Sequence, residues 1–293
     1  MRSWLLAARP ATLWAGVAPV IVAGSLAIRD NVFSWSRFIV ALIGATAIQV
    51  GVNFANDVAD AAKGADTAAR IGPTRAVASG LITARQMWGG IIASFGIAAV
   101  CGVYLISVAG PVIAVIGIAS IIAALGYTNG PAPYGYRGLG EVFVFIFFGL
   151  VATVGGRYVF DRTAPLESWL AGIVMGLLAT AILVANNVRD IETDAASGKE
   201  TLAVKVGRAG GVAIFSATVV GAFAVIVLAI GSGWFPWWTA VSLLALPLVA
   251  PLVKTIRAET AGPPLIAVLK GTARLQLLVA LLLSAGILAD RYV

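Results

Sequence analysis

Asn53, Asp57 and Asp60 stand at i, i+4 and i+7, and Asn186, Asp190 and Asp194 at i, i+4 and i+8. On a helix each spacing gathers three oxygen-bearing side chains on one face. Asn56 and Asn187 are close enough in sequence to join them. Like charges one turn apart repel, and a carboxylate at the end of an apolar run is costly to bury unless it is paired or metal-bound. A divalent cation reverses that sign. Carboxylate and amide oxygens are hard ligands, and Mg2+ usually completes its octahedron with water and substrate phosphate. Two such clusters, each holding one Mg2+, make a receptor for a diphosphate. Nearby cations suit the same chemistry. Lys63, Arg70 and Arg75 follow the first cluster, and Lys199 and Lys205 follow the second. They can meet phosphate oxygens directly. A single NDxxD at a helix end is often only a solvated cap and turn. The specificity lies in the matched pair.

Both clusters close an apolar run, and the composition says what those runs are. Of 293 residues 60% are apolar and only 11% charged, with a mean hydropathy of +0.98. A soluble domain carries about a quarter charged residues. Uncharged apolar runs of roughly 18–20 residues predict transmembrane helices. The runs are continuously apolar rather than alternating, which excludes barrel strands. The expected architecture is therefore an all-α polytopic membrane protein. There is no histidine and one cysteine, Cys101. A disulfide framework is impossible, and the usual ligands for zinc, copper and haem are missing. Any metal is a hard cation held by oxygen. The formal charge of +7 is explained by loop topology and anionic lipid rather than by nucleic acid.

Nine spans are predicted, over residues 11–28, 36–56, 88–109, 111–128, 140–160, 168–188, 211–231, 236–256 and 275–290. The first lacks a small-residue cleavage site and reads as a retained span. Of the 20 Lys and Arg, only Arg29, Arg37, Arg157, Arg162 and Arg291 fall on the loops of one side. The positive-inside rule places the other side, with the N-terminus and both acidic clusters, in the cytoplasm, and the C-terminus outside. The clusters follow the second and the sixth span, which suggests a weak internal repeat.

A diphosphate whose cargo lies among membrane helices suggests a prenyl diphosphate. Mg2+ and cationic side chains stabilise the departing diphosphate. The remaining allylic cation is attacked by an electron-rich partner, in an apolar chamber that keeps water out. The chain resembles the intramembrane aromatic prenyltransferases related to 4-hydroxybenzoate polyprenyltransferase. The stretches that carry the resemblance are ARPATL (8–13), NFANDVADAAKGAD (53–66), RIGPTRAVASGLIT (70–83), GPAPYGYRGLGEVFVFIFFG (130–149) and NNVRDIETDAASGKETLAVKVG (186–207). The two-residue gap between Asp57 and Asp60, the KGAD and IGPTR segments and PYGYRGLGE look like the branch that uses 1,4-dihydroxy-2-naphthoate.

The resemblance implies one prenyltransferase domain over residues 1–293, a nine-helix bundle with cytosolic caps over a cavity, and a place in the cell membrane. It implies two Mg2+ bridging the diphosphate to Asn53, Asp57, Asp60, Asn186, Asp190 and Asp194, with Asn56 and Asn187 beside them. The implied substrates are a polyprenyl diphosphate and 1,4-dihydroxy-2-naphthoate, giving demethylmenaquinone for menaquinone biosynthesis with loss of diphosphate and carbon dioxide. Many members carry an arginine after the GK of the second motif, where this chain has Glu200. Phosphate binding then falls to Lys199 or Lys205.

Candidates for holding the aromatic acid are Tyr127, Tyr134, Tyr136 and Arg137. A guanidinium can pair with a carboxylate, and a tyrosine can stack on a ring or bond its hydroxyls. The same residues also serve as interfacial anchors. Arg9 is equally a topology signal and a ligand contact; Glu141 suits the positive start of the fifth span. Asp66 can touch metal or shape its loop, Gly72–Pro73 reads as a turn, and Trp234, Trp237 and Trp238 read as an outer aromatic belt. Two rival readings stay open: a prenyltransferase for another acceptor such as 4-hydroxybenzoate, and an ion-coupled transporter.

Overall fold

The computed structural model describes residues 2–62, 75–130, 133–260 and 262–292. Lipid offers no partner to a backbone N–H or C=O, so an apolar run of this length must close its hydrogen bonds within itself. The result is helical throughout: α1 (Pro10–Arg29), α2 (Trp35–Ala62), α3 (Ala84–Ala109), α4 (Val112–Gly126), α5 (Gly140–Asp161), α6 (Leu166–Arg189), α7 (Leu202–Gly231), α8 (Trp237–Ala258) and α9 (Pro263–Tyr292). No strand occurs among the described residues. Eight of these helices are long and apolar enough to cross a membrane; α4 is a 15-residue apolar helix. The protein is a multi-pass all-α membrane protein.

Each apolar run read from the sequence falls on one helix, yet several helices are longer than their run. α2 continues to Ala62, so the first polar cluster is part of the helix. α9 starts at Pro263, twelve residues before its predicted span. Hydropathy marks where lipid touches the chain, whereas a helix ends where its hydrogen bonds end. α7 shows both limits: it starts at Leu202, capped by the Thr201 side chain, but breaks at Gly207, which takes φ 71° and ψ 174°. Glycine tolerates that positive φ without a Cβ penalty. Inside α5, Phe145–Gly155 is a wide π-helical stretch between two short α segments. The first half of α8, Trp237–Leu248, is wound tightly before Val249–Ala258 relaxes to α.

α6 is the most deeply buried span. Val174, Met175 and Leu178 on it pack with Phe215, Val219 and Ile226 of α7 and Leu275, Val279 and Leu283 of α9. The outward faces of α3 and α4 carry exposed Ile92, Val100, Val103, Val115, Ile118 and Ile122, as lipid requires. Trp234 and Trp237 are exposed as expected of a belt, while Phe235 is buried.

The bundle has two polar ends. At one, Asn53 donates to the Ala8 carbonyl. At the other, Arg157 bonds Asp30 and Asp161, Arg29 meets Glu167, Arg37 reaches the carbonyls of Val159 and Phe160, Arg162 reaches Val108 and Arg291 reaches Ile28. These are the five arginines that the loop count set apart.

Candidate active site

Seven of the eight expected oxygen-bearing side chains line one cavity of about 360 Å3: Asn53, Asn56, Asp60, Asn186, Asn187, Asp190 and Asp194. The last turns of α2 and α6 place them, and the short helix Ile191–Ala196 carries Asp194. The cavity continues away from them along an apolar wall that includes Ile116, Phe143, Phe147, Phe148, Ile182 and Leu183. It reaches Leu105, Ile113 and Val159, which pack in the cluster at the far end of the bundle.

Lys199 joins the two clusters. Its Nζ lies 2.9 Å from Asp60 Oδ1 and 4.0 Å from Asp194 Oδ1. Asp60 also takes Arg75 at 2.5 Å and the Tyr136 hydroxyl at 2.7 Å. Arg189 grips both oxygens of Asp190, at 2.7 and 2.5 Å, and donates to Asn186 Oδ1 at 2.9 Å. Asp60 and Asp190 are 2% and 4% exposed. Carboxylates buried so deeply need such partners. Three cations, Arg75, Arg189 and Lys199, thus stand against the three acids of the cavity wall.

The amides are turned with equal definition. Asn53 Nδ2 donates to the Ala8 carbonyl and to Thr12 Oγ1, and Asn187 Nδ2 donates to Glu141 Oε1 at 2.9 Å. A carbonyl can only accept, so the amide nitrogen faces it and the amide oxygen is left for the cavity. Asn56 Oδ1 accepts from Thr128 at 2.9 Å and keeps a second lone pair.

Asp57, expected among these oxygens, is not on the cavity wall. Its carboxylate accepts the backbone N–H of Ala76 at 3.1 Å and of Val77 at 2.9 Å, and so holds the turn after Arg75. Those two amides have no helical partner before α3 begins, and an anion is their strongest acceptor. Arg137 is exposed and Lys205 bonds its carbonyl at 2.8 Å; neither side chain lines the cavity. Lys205 also sits 3.6 Å from the exposed Glu200. Lys63, Arg70, Asp66 and Gly72–Pro73 lie outside the described residues.

Tyr127, Tyr134 and Tyr136 do line the cavity. The Tyr134 hydroxyl is committed to the Ala123 carbonyl at 2.7 Å, and its ring stacks on Phe143 at 3.8 Å. Burial pushes its phenol up, so it stays a neutral donor. Tyr127 meets Tyr134 edge-on. The sequence reading missed Arg189, Thr128 and Gln49. Arg189 directly precedes Asp190, and that adjacency was the available signal. Gln49 is a lone amide one turn before Asn53, inside an apolar run, and that isolation was the available signal.

The residues fit a hard divalent cation. The donors are carboxylate and amide oxygens throughout. Among the described residues no three acidic, His or Cys side chains converge into a closed cage. A hard cation here would complete its shell with amide oxygens, water and substrate phosphate.

A model of the UbiA prenyltransferase family matches residues 17–268. The chain is 36% identical over 271 residues to a Mycobacterium leprae (strain TN) protein named 1,4-dihydroxy-2-naphthoate octaprenyltransferase, covering 92% of this chain and 90% of that one. It is 34% identical over 297 residues to an Escherichia coli (strain K12) protein of the same name, covering 99% and 96%. In fold it matches the apo structure of a UbiA homolog from Aeropyrum pernix K1, with a TM-score of 0.70 at 17% identity over 95% of this chain and 97% of that one. It also matches a UbiA homolog from Archaeoglobus fulgidus bound to GPP and Mg2+, with a TM-score of 0.67 at 15% identity over 98% and 99%. With a polar, cation-braced cavity mouth above an apolar tunnel, and with this match along most of its length, the chain belongs to the UbiA prenyltransferase family.

Proposed function

We propose that this protein transfers a polyprenyl group from a polyprenyl diphosphate to 1,4-dihydroxy-2-naphthoate, releasing diphosphate and carbon dioxide and giving demethylmenaquinone for menaquinone biosynthesis. The observation that carries it is the convergence of two oxygen clusters and three cations at one end of an apolar cavity. The names of the relatives supply the acceptor.

Asn53, Asn56, Asp60, Asn186, Asn187, Asp190 and Asp194 would hold two Mg2+, with Asp57 behind them fixing the turn that carries Arg75. Bound Mg2+ supplies positive charge to the diphosphate as its bond to the prenyl carbon breaks. Lys199 and Arg75, which line the cavity and are paired with carboxylates, would donate to phosphate oxygens, while Arg189 behind the wall holds Asp190 and Asn186 in place. Lys63, Arg70 and Lys205 would add further positive charge for the phosphates. The C1–O bond breaks with its electron pair going to the diphosphate. The aromatic wall of Tyr127, Tyr134, Phe143 and Phe147 and the tunnel beyond exclude water from the allylic cation. The electron-rich ring attacks that cation, and carbon dioxide leaves its electron pair to the ring.

The whole chain acts as one prenyltransferase domain in the cell membrane, surrounded by lipid, with the N-terminus and the site in the cytoplasm and the C-terminus outside. A transporter is disfavoured because the acids gather at one end of the bundle rather than at its middle. The test is product mass spectrometry on purified protein given Mg2+, prenyl diphosphates of several lengths and either 1,4-dihydroxy-2-naphthoate or 4-hydroxybenzoate. A decarboxylated prenyl naphthalenediol that disappears with EDTA is expected. Prenylation of the benzoate alone, or of neither acid, would overturn the assignment.

A further inference from the structure

Gln49 lies on α2 one turn deeper than Asn53 and lines the same cavity, in contrast to the apolar residues around it. It is 6% exposed. Its Nε2 donates to the Thr12 carbonyl at 3.3 Å. Because that carbonyl has no proton to give, the amide cannot turn over, and Oε1 is held on the other side. Oε1 is buried and has no hydrogen-bond partner among the described residues. A buried acceptor without a donor is costly in any interior and more so inside a membrane. A helix-bridging role explains the amide nitrogen and leaves the oxygen unexplained.

We infer that Gln49 is a specificity-determining residue for the acceptor, its Oε1 taking a hydrogen bond from a ring hydroxyl of the dihydroxy aromatic acid. This rests on the proposed reaction and deepens it. The residues around Gln49 suit an aromatic plane rather than a phosphate. Gly16 on the facing helix lines the cavity beside Gln49 and adds no side chain to it; an added Cβ there would meet the Ala45 oxygen and the Gln49 Cβ in ordinary contact at 3.6 Å. Ala45, Ile48 and Val52 add apolar surface. Arg9 and Asn53 stand on the same wall, so a ring seated here lies beside the oxygen cluster where the diphosphate would be held. A pocket that meets a substrate hydroxyl with a buried acceptor rejects analogues lacking it, because the acceptor is then left unpaired.

The test is a double comparison on the full-length protein in detergent. Gln49→Leu and Gln49→Met are assayed with 1,4-dihydroxy-2-naphthoate and prenyl diphosphate, and 2-naphthoate, which has no hydroxyl, is titrated as a competitive inhibitor. The inference expects the KM for the dihydroxy acid to rise roughly tenfold or more. The KM for prenyl diphosphate stays as in the parent protein, and the inhibition constant of 2-naphthoate stays equal or falls, because the acceptor that it leaves unpaired is gone. Gln49→Met keeps the side-chain length should Gln49→Leu fold poorly. An unchanged KM for the dihydroxy acid overturns the inference. So does an equal loss of affinity for 2-naphthoate, which marks a merely structural role. A parent protein that does not use the dihydroxy acid at all overturns the proposed reaction instead, before any variant is compared.

Discussion

Asp57 and Asp60 are three residues apart on α2, and the structure gives them different partners. Asp60 sits among Arg75, Lys199 and the Tyr136 hydroxyl. Asp57 binds the Ala76 and Val77 amides. Asp60→Asn removes the charge that two buried cations face, and breaking a buried pair from one side costs about 3–5 kcal/mol. We expect kcat/KM for prenyl diphosphate to fall roughly a hundredfold or more. Asp57→Asn keeps one acceptor oxygen and leaves one buried N–H without its partner, a loss of about 1–3 kcal/mol. Activity falls here too, but with a signature absent from Asp60→Asn: amide exchange speeds up across residues 75–80. Unchanged protection of that turn in Asp57→Asn would contradict the role. The spacing placed both acids on one helical face. It could not say which would turn to a loop, because the donors that claim Asp57 lie about twenty residues further on, joined by no local pattern.

At the scale of elements, α5 and α6 show what hydropathy cannot report. FIFFGLVATVG contains no proline and reads as plain span, yet Phe145–Gly155 is wound wide. The reason is across the interface. A Cβ at Gly149 would lie 2.4 Å from the Gly176 Cα and 2.6 Å from the Gly172 oxygen, so the two backbones touch. Helices in lipid gain nothing from burying apolar surface against each other and associate through such close small-residue contacts. Gly149→Ala must therefore push backbone, not a flexible side chain, and we expect a loss of about 1–3 kcal/mol. The control is Gly102→Ala on α3, where an added Cβ meets nothing within 4 Å. There the better helix propensity of alanine should leave stability equal or slightly higher. Thermal melts of both variants in one detergent decide the matter; equal melting temperatures would refute the contact. The spans were legible because lipid imposes one local rule on every residue. The width of α5 was not, because it answers to glycines on α6, over twenty residues away.

At the scale of the molecule, the two ends are built for opposite purposes. The site end gathers acids and cations around the cavity, paired with one another. The far end gathers arginines that close on the protein itself. Arg157 is 2% exposed and bonds Asp161 at 2.7 and 3.0 Å and Asp30 at 2.7 and 3.2 Å. It ties the end of α1 to the end of α5, while Arg29 carries the tie to Glu167 on α6. Neither Arg157 nor its partners Asp30 and Asp161 line the cavity. Arg157→Leu leaves Asp161 without its cation and Asp30 with Arg29 alone, at 2.8 Å. Both carboxylates are 22–24% exposed, so water relieves part of the penalty, and a loss of about 3 kcal/mol, the low end for a broken buried pair, is expected. Arg157→Lys keeps the charge but loses the planar fork that reaches two acids at once, and should fall between the two. The melting temperature should drop in that order while KM for prenyl diphosphate stays within about twofold, since the cations proposed to meet phosphate are at the other end. A variant that melts like the parent, or that shifts KM for prenyl diphosphate as strongly as Lys199→Met, would show that this clamp is not the independent seal its geometry describes.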